Sequence, residues 1–149
     1  MSKRIVFSSL IGAVALCGAA AGGLALASTP TEPTLEHGSA RYTAPSGDSA
    51  GSFTYTVDVS DDSGIRGLKV VVWPASSKLD PTEAELRSVE SATCRSTSDE
   101  TSRCTYTPKI TKREAADLDK GTWYVSALAT AKDGGTAFAP RATTFDVTG

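Results

Sequence analysis

Apolar and polar residues alternate most regularly between residues 51 and 60, where every second side chain is apolar. The apolar set consists of Phe53, Tyr55, Val57 and Val59. Such a period of two predicts a β-strand with one buried face. Turn-forming residues follow at 60–64, and residues 65–73 are apolar on both faces, as in a central strand. The two segments predict the core of a β-sheet.

A second regular strand is predicted over residues 122–131, again from alternation. One face carries Trp123, Val125, Ala127, Ala129 and Ala131, and the other carries Tyr124, Ser126, Leu128 and Thr130. The Asp-Gly-Gly run at 133–135 predicts a hairpin turn into a last strand over 136–147. Pro140 predicts that this last strand lies at an edge or contains a bulge, because proline lacks a backbone donor.

Two short helices are predicted from their first turns. Residues 80–83 (Asp-Pro-Thr-Glu) are typical of a helix start, for a helix reaching residue 90, and residues 111–114 (Thr-Lys-Arg-Glu) form a capping box. The first helix is a candidate cover for the second face of strand 65–73, where Val71 and Trp73 lie; covered and exposed arrangements both stay open. Together the elements predict an all-β sandwich of about seven strands with one or two short helical crossings.

The first 27 residues are typical of a signal peptide. Lys3 and Arg4 precede an apolar run that ends at Ala25-Leu26-Ala27, a small-residue cleavage pattern, and glycines interrupt the run, which argues against a membrane anchor. Residues 28–50 are rich in polar residues and prolines and predict a flexible N-terminal segment, with a short strand suggested only at 41–43. Residues 51–149 would form the sandwich domain. We therefore expect a secreted, extracellular protein.

The net charge of the chain restricts its partners. Without residues 1–27 the chain has 13 basic and 17 acidic residues, a net charge of −4. A negative chain is a poor partner for nucleic acid, which requires a positive surface, or for an anionic membrane. We expect neither partner for the mature protein. The remaining length, about 120 residues, suffices for one domain with its own core.

Two cysteines, Cys94 and Cys104, remain after the predicted cleavage, because Cys17 lies within the apolar run. In an oxidising compartment they are expected to form a disulfide, which would brace a hairpin with a polar loop over residues 95–103. Half of a metal site is the alternative, but it needs further ligands. The one histidine, His37, lies in the predicted flexible segment, so no metal site and no cofactor are expected.

Catalytic residues are not expected. A Ser-His-Asp or Cys-His arrangement needs a positioned base, and a flexible His37 does not supply one. The paired carboxylates of glycoside hydrolysis need one acid in an apolar pocket, whereas the acids at 61 and 62 lie in a turn. A Ca²⁺ site is conceivable from four carboxylates, although turn formation and solvent exposure explain them more simply. These four are Asp58, Asp61, Asp62 and Asp133.

Candidate binding residues fall into two groups. Trp73, Trp123 and Tyr124 could form a platform on which a sugar ring stacks, although core packing is the simpler interpretation of their strand pattern. Arg95 and Arg103, at the ends of the disulfide-braced loop, could enter the pocket of a trypsin-like protease as bait. A braced loop would lose little entropy on binding.

The turn at 61–65 (DDSGI), and later Leu118 followed by GTWYVSALATAKDGG, resemble immunoglobulin-like modules of bacterial secreted and surface proteins. They also resemble fibronectin type III domains, in which a leucine precedes a tyrosine that bonds back to the preceding crossing. The resemblance covers residues 51–147 and implies an immunoglobulin-like β-sandwich. The layout is also similar to a small family of secreted actinobacterial proteins of unknown function. Trp123 and Tyr124 are adjacent here, so either ring could form the corner. Ala131 and Gly135 replace the Asp and Asn that help hold Ca²⁺ or brace the turn in some relatives.

The expected function follows from these observations. A secreted single-domain β-sandwich without a catalytic arrangement would be a non-enzymatic binding module, with an extracellular protein or a cell-wall component as its partner. The alternative is a small secreted inhibitor of an extracellular protease that presents Arg95 or Arg103 from the braced loop.

Overall fold

The computed structural model describes residues 29–149, so the predicted signal peptide (residues 1–27) and Cys17 lie outside the described part. Eight strands and two short helices confirm the all-β sandwich predicted from the sequence. The strands are β1 (Thr34–Thr43), β2 (Gly51–Ser60), β3 (Ile65–Pro74), β4 (Thr93–Ser96), β5 (Thr101–Tyr106), β6 (Lys109–Ile110), β7 (Gly121–Ala131) and β8 (Thr136–Val147). The helices are α1 (Glu83–Leu86) and α2 (Lys112–Asp117), and a 3₁₀ turn spans Ala75–Ser77.

Two antiparallel sheets face each other. The larger sheet has the order β1-β2-β5-β4, with the short β6 also paired to β2, and the smaller sheet has the order β3-β7-β8. The predicted hairpin between β7 and β8 is present, and β8 lies at the edge that Pro140 indicated. The ladder of this hairpin shifts register between Val125 and Ala127, opposite the proline.

The core lies between the sheets and consists of the residues that alternation selects. Phe53, Val57 and Val59 from β2 are at most 7% exposed, and they face Trp123 and Val125 from β7. The ring of Phe53 lies 5.2 Å from that of Trp123, so one aromatic pair joins the two sheets near the α2 end of the sandwich.

The N-terminal segment differs from the prediction. Residues 28–50 were expected to be flexible, but Thr34–Thr43 form β1 along the full length of β2. A register shift between Glu36 and Ser39 interrupts the strand, and His37 has a left-handed backbone with φ 55°. This bulge breaks the alternation of apolar residues, which explains why the sequence pattern failed to reveal the strand.

The helix predicted over residues 81–90 is also shorter than expected. Thr82, and not Asp80, is its N-cap; the Thr82 hydroxyl accepts from Glu85, whose carboxylate accepts from the Thr82 backbone. The helix lies against β3 and β7 and contributes one fully buried side chain, Leu86. The open question about the second face of β3 is therefore answered: Trp73 is 1% exposed and Val71 is half-buried.

Candidate binding face on the five-stranded sheet

The outer side of the larger sheet is polar throughout, because alternate residues of its strands point away from the core. We call this surface the polar face. Strand pairing places its residues in rows that run across the strands. They are Thr34, Glu36, Ser39, Arg41, Thr43, Ser52, Thr54, Thr56, Asp58, Ser60, Thr93, Arg95, Thr101, Arg103, Thr105 and Lys109. Residues on paired strands are held in fixed positions, so the polar face presents a rigid array of hydroxyl groups.

One row of the polar face is charged. Arg95 lies directly opposite Arg103, which lies directly opposite Asp58. Arg103 donates from Nε to Asp58 Oδ1 at 2.9 Å and from Nη2 to Asp58 Oδ2 at 3.3 Å. The hydrogen bond from Arg103 lowers the pKa of the Asp58 carboxyl, and the same contact raises the pKa of Arg103. Both side chains are therefore charged at neutral pH.

His37 also contacts this row. Its Nδ1 lies 3.4 Å from Asp58 Oδ2, and its side chain is largely exposed on the bulge of β1. The sequence placed His37 in a flexible segment, whereas the structure places it on a strand beside a carboxylate that Arg103 already occupies.

A groove of about 460 Å³ runs beside the two arginines. Its lining consists of Thr93, Arg95, Thr97, Arg103 and Thr105. Within the described part of the chain, Arg95 has no carboxylate within salt-bridge distance. The groove therefore combines one arginine oriented by Asp58, one arginine without an internal counter-charge, and three threonines.

The structure confirms the predicted disulfide near these arginines and corrects the predicted length of the loop. Cys94 and Cys104 are directly opposite each other on β4 and β5 and are bonded, as predicted. The polar loop expected over residues 95–103 is much shorter, because β4 continues to Ser96 and β5 begins at Thr101. Backbone bonds from residues 97 and 98 to the Thr101 carbonyl close the turn. Arg95 and Arg103 therefore extend from paired strands and not from a loop tip.

Trp73 and Tyr124 lie elsewhere, on the outer side of the smaller sheet. The indole N–H of Trp73 donates to Ser126 Oγ at 2.9 Å, and the ring lies 4.8 Å from that of Tyr124. Because Trp73 is 1% exposed, it is a buried residue and not a surface platform for a sugar. The guanidinium of Arg141 stands 4.6 Å from the Tyr124 ring centre and partly covers this half-buried ring.

Of the two adjacent rings at the start of β7, Trp123 makes the hydrogen bond back to the preceding crossing. Its indole N–H donates to the Asp119 carbonyl at 2.8 Å, back toward the crossing that follows α2. Tyr124 points to the opposite side of the sheet. Trp123 is 7% exposed, so it serves the core and does not belong to a binding surface.

The four carboxylates considered for Ca²⁺ are divided between two places. Asp58 is bound to Arg103 on the polar face, while Asp61 is buried at the turn after β2. Asp61 accepts from the backbone N–H and the hydroxyl of Ser63 and from the hydroxyl of Thr31, and these bonds lower its pKa. Asp133 accepts from the backbone of Gly135. Among residues 29–149, no group of three or more His, Cys, Asp or Glu residues is arranged to hold a metal.

The residues that sequence reasoning missed are the partners of the two arginines. Asp58 was considered as a Ca²⁺ ligand or a solvent-facing carboxylate and not as a partner of an arginine, and the three groove threonines were not singled out. The polar positions between the apolar residues of β2 carried a signal that this face is hydrophilic. Which of them faces which arginine depends on the pairing of strands that are distant in sequence.

The fold and the groove define a disulfide-braced β-sandwich with one polar sheet face. The chain belongs to DUF5707, a family of unknown function, whose model matches residues 35–129. The match begins in β1 and ends in β7, so it includes both cysteines and all five groove residues. No curated protein and no solved structure matches the chain. In the described residues, no helix is both long and apolar enough to cross a bilayer.

Proposed function

We propose that this protein is a secreted, non-enzymatic binding module that contacts its ligand through the polar face. The observation that carries the proposal is the groove beside Arg95 and Arg103. Among the described residues, Arg95 has no carboxylate within salt-bridge distance, and it shares the groove with three threonines. Both arginines extend from strands joined by the Cys94–Cys104 bond, so little backbone freedom is lost when a ligand binds.

Secretion is part of this proposal. Residues 1–27 have the features of a signal peptide, and a disulfide is characteristic of proteins that fold in an oxidising compartment. The partner would then be an extracellular protein or a component of the cell wall. We also propose that the sandwich is an immunoglobulin-like or fibronectin-type-III-like module of the actinobacterial type. Two packed antiparallel sheets and the bond from Trp123 to the preceding crossing support this relationship.

The test is to block the polar face with one bulky side chain. Thr105→Trp places an indole at the centre of the groove lining, and Thr144→Trp adds the same bulk to an exposed position on the other sheet. Purified wild type and both variants are incubated with cell-wall polymers and with secreted proteins, and retention is measured with folding monitored by circular dichroism. We expect retention of the wild type and of Thr144→Trp, but not of Thr105→Trp.

Two results would overturn the proposal. Equal retention of both variants would exclude the polar face as the contact surface. Chemical turnover of a retained polymer, surviving repurification of the protein, would make the protein an enzyme.

The alternative, an inhibitor of an extracellular protease, has weaker support. Arg103 is engaged by Asp58, and both arginines extend from strands, whereas a bait residue has to enter the cleft of a protease. Titration of trypsin against the protein tests this alternative. Stoichiometric inhibition that disappears in Arg95→Ala would favour it over the binding module.

A further inference from the structure

We infer that the groove between β4 and β5 binds the acidic groups of an anionic polysaccharide, with Arg95 and Arg103 as the acid-binding residues. The inference rests on the proposed function and adds the chemical class of the ligand. The acidic group is a carboxylate or a phosphate, since a guanidinium binds either with two parallel hydrogen bonds.

The first argument is the position of the two arginines. Residues directly opposite each other on antiparallel strands have Cβ atoms only about 5 Å apart, and like charges in such a pair destabilise the sheet. The next row has Thr93 opposite Thr105, which is free of this cost. Asp58 offsets the charge of Arg103 alone, and an anion between the two guanidinium groups would also attract Arg95.

The second argument is the orientation of Arg103. A guanidinium has five N–H donors, and Asp58 accepts from two of its nitrogens, Nε and Nη2. This bidentate contact fixes the plane of the group and leaves the Nη1 protons for a ligand. Asp58 neutralises Arg103, and Glu36 of β1, directly opposite Asp58, adds a second negative charge at the far end of the row. The positive charge is therefore concentrated at the β4 end of the row, at Arg95.

The third argument concerns the rest of the ligand. Hydroxyl groups of Thr93 and Thr105 line the groove, and the same row continues across the sheet to Thr56 and Ser39. Adjacent strands are about 4.8 Å apart, so a chain lying across them meets a hydroxyl at each strand. A sugar polymer, with hydroxyl groups on every unit, matches this array.

The polar face does not suit a nucleic acid, the other common polyanion. Single strands are held by aromatic side chains on which the bases stack and by a continuous positive groove. The outward positions of the described strands on this face carry hydroxyl and charged side chains and no Phe, Tyr or Trp, and the one ring that contacts the face is the His37 imidazole beside Asp58. The polar face therefore lacks the stacking surface on which a single-stranded nucleic acid depends.

The experiment measures binding of the purified, oxidised protein to four immobilised polymers. Polygalacturonate supplies carboxylates on sugars, phosphorylated dextran supplies phosphates on sugars, dextran is the neutral polysaccharide, and polyglutamate supplies carboxylates on a peptide. We expect binding to polygalacturonate or to phosphorylated dextran, and which of the two binds identifies the acid. Binding should weaken as NaCl is added, because salt screens exposed charges. Binding to polyglutamate or dextran should be at least tenfold weaker.

Three variants with the same change of charge locate the site. Arg95→Gln should weaken binding about tenfold, since it removes one charge-assisted contact, and Arg103→Gln should weaken it at least as much. Arg87→Gln, at the residue that follows α1 and away from the polar face, should bind as the wild type does. Arg95→Gln should also melt no lower than the wild type, because removing a like-charged neighbour does not destabilise the strand pair.

The inference is overturned if neither acidic sugar-type polymer binds, if dextran or polyglutamate binds as well, or if Arg95→Gln binds like the wild type. Failure of this inference can be distinguished from failure of the proposed function. Loss of cell-wall or protein retention in Thr105→Trp, without any binding to the acidic polymers, would keep the binding module and reject this ligand class.

Discussion

The indole N–H of Trp123 donates a hydrogen bond to the backbone carbonyl of Asp119, four residues earlier, at 2.8 Å. The same ring packs against Phe53 and Phe145 in the core. The bond therefore attaches the crossing that follows α2 to the first residues of β7. One side chain joins the turn, the strand and the opposite sheet.

Replacement of Trp123 tests this corner. Trp123→Phe removes the donor and part of the buried ring, and we expect a loss of about 2–3 kcal/mol in the free energy of unfolding, measured by chemical denaturation. The control is Tyr124→Phe, which keeps the ring stacked on Trp73 and should change stability by less than about 0.5 kcal/mol. A larger effect at Tyr124 than at Trp123 would contradict the assignment of the corner.

The disulfide is expected to stabilise the fold by restricting the unfolded chain. Cys94 and Cys104 are ten residues apart, and closing so short a loop contributes about 2–3 kcal/mol. Denaturation of the double variant Cys94→Ser/Cys104→Ser should show this loss. Reductant should destabilise the wild type by a similar amount and leave the double variant unchanged. No difference between wild type and variant would mean that strand pairing alone holds β4 on β5.

Acid should destabilise the protein partly through Asp61. Hydrogen bonds from the hydroxyl and the backbone N–H of Ser63, and from Thr31, lower the pKa of Asp61. A lowered pKa in the folded state means that the stabilisation is present above the unfolded pKa, about 3.9, and is lost as the pH falls below it.

The pH dependence of the melting temperature tests whether Asp61 contributes to the loss of stability in acid. Asp61→Asn should melt lower than the wild type at neutral pH and should show a flatter decline in acid. Asp62→Asn makes the same change of charge at the exposed neighbouring residue and should retain the slope of the wild type. The expectation fails if Asp61→Asn and the wild type decline in parallel.

Alkaline conditions should destabilise the protein through two tyrosines. Burial raises the pKa of Tyr55 to about 12, and burial together with the Glu90 carboxylate raises the pKa of Tyr106 to about 12. Both groups contribute full stability below the unfolded tyrosine pKa, about 10, and the contribution is lost as the pH rises toward 12. Phenolate absorbance should show two of the four tyrosines titrating near the unfolding transition. Tyr106→Phe should reduce the alkaline loss of stability; an unchanged loss would contradict this role.

The sequence predicted the elements whose signal is local. Alternation identified β2 and β7, turn residues identified the β7–β8 hairpin, and the cysteines identified the disulfide. The sequence pattern did not predict β1 in full, because the bulge at His37 interrupts the period of two. It also predicted too long an α1, since the apolar content of that segment is small. The pattern also could not decide whether Trp73 is buried, since that depends on the segment that folds back over β3.

The candidate site was predicted only in part. Arg95 and Arg103 were selected because they flank the disulfide, but they were assigned to a loop. Their actual setting depends on the register of β4, β5 and β2, which brings Asp58 to Arg103 from 45 residues away. Such long-range pairing leaves no periodic signal in one strand, so the groove threonines became visible only in the assembled sheet.

The most direct measurement of the central claim is a titration of the ¹⁵N-labelled protein with short oligomers of galacturonate and of phosphorylated dextran, followed through the backbone amide resonances. The claim predicts that one of the two shifts resonances at residues 93–97 and 103–105, while those of Tyr124, Arg141 and α2 stay in place. Shifts confined to the smaller sheet or to α2, or no shifts with either oligomer, would contradict it.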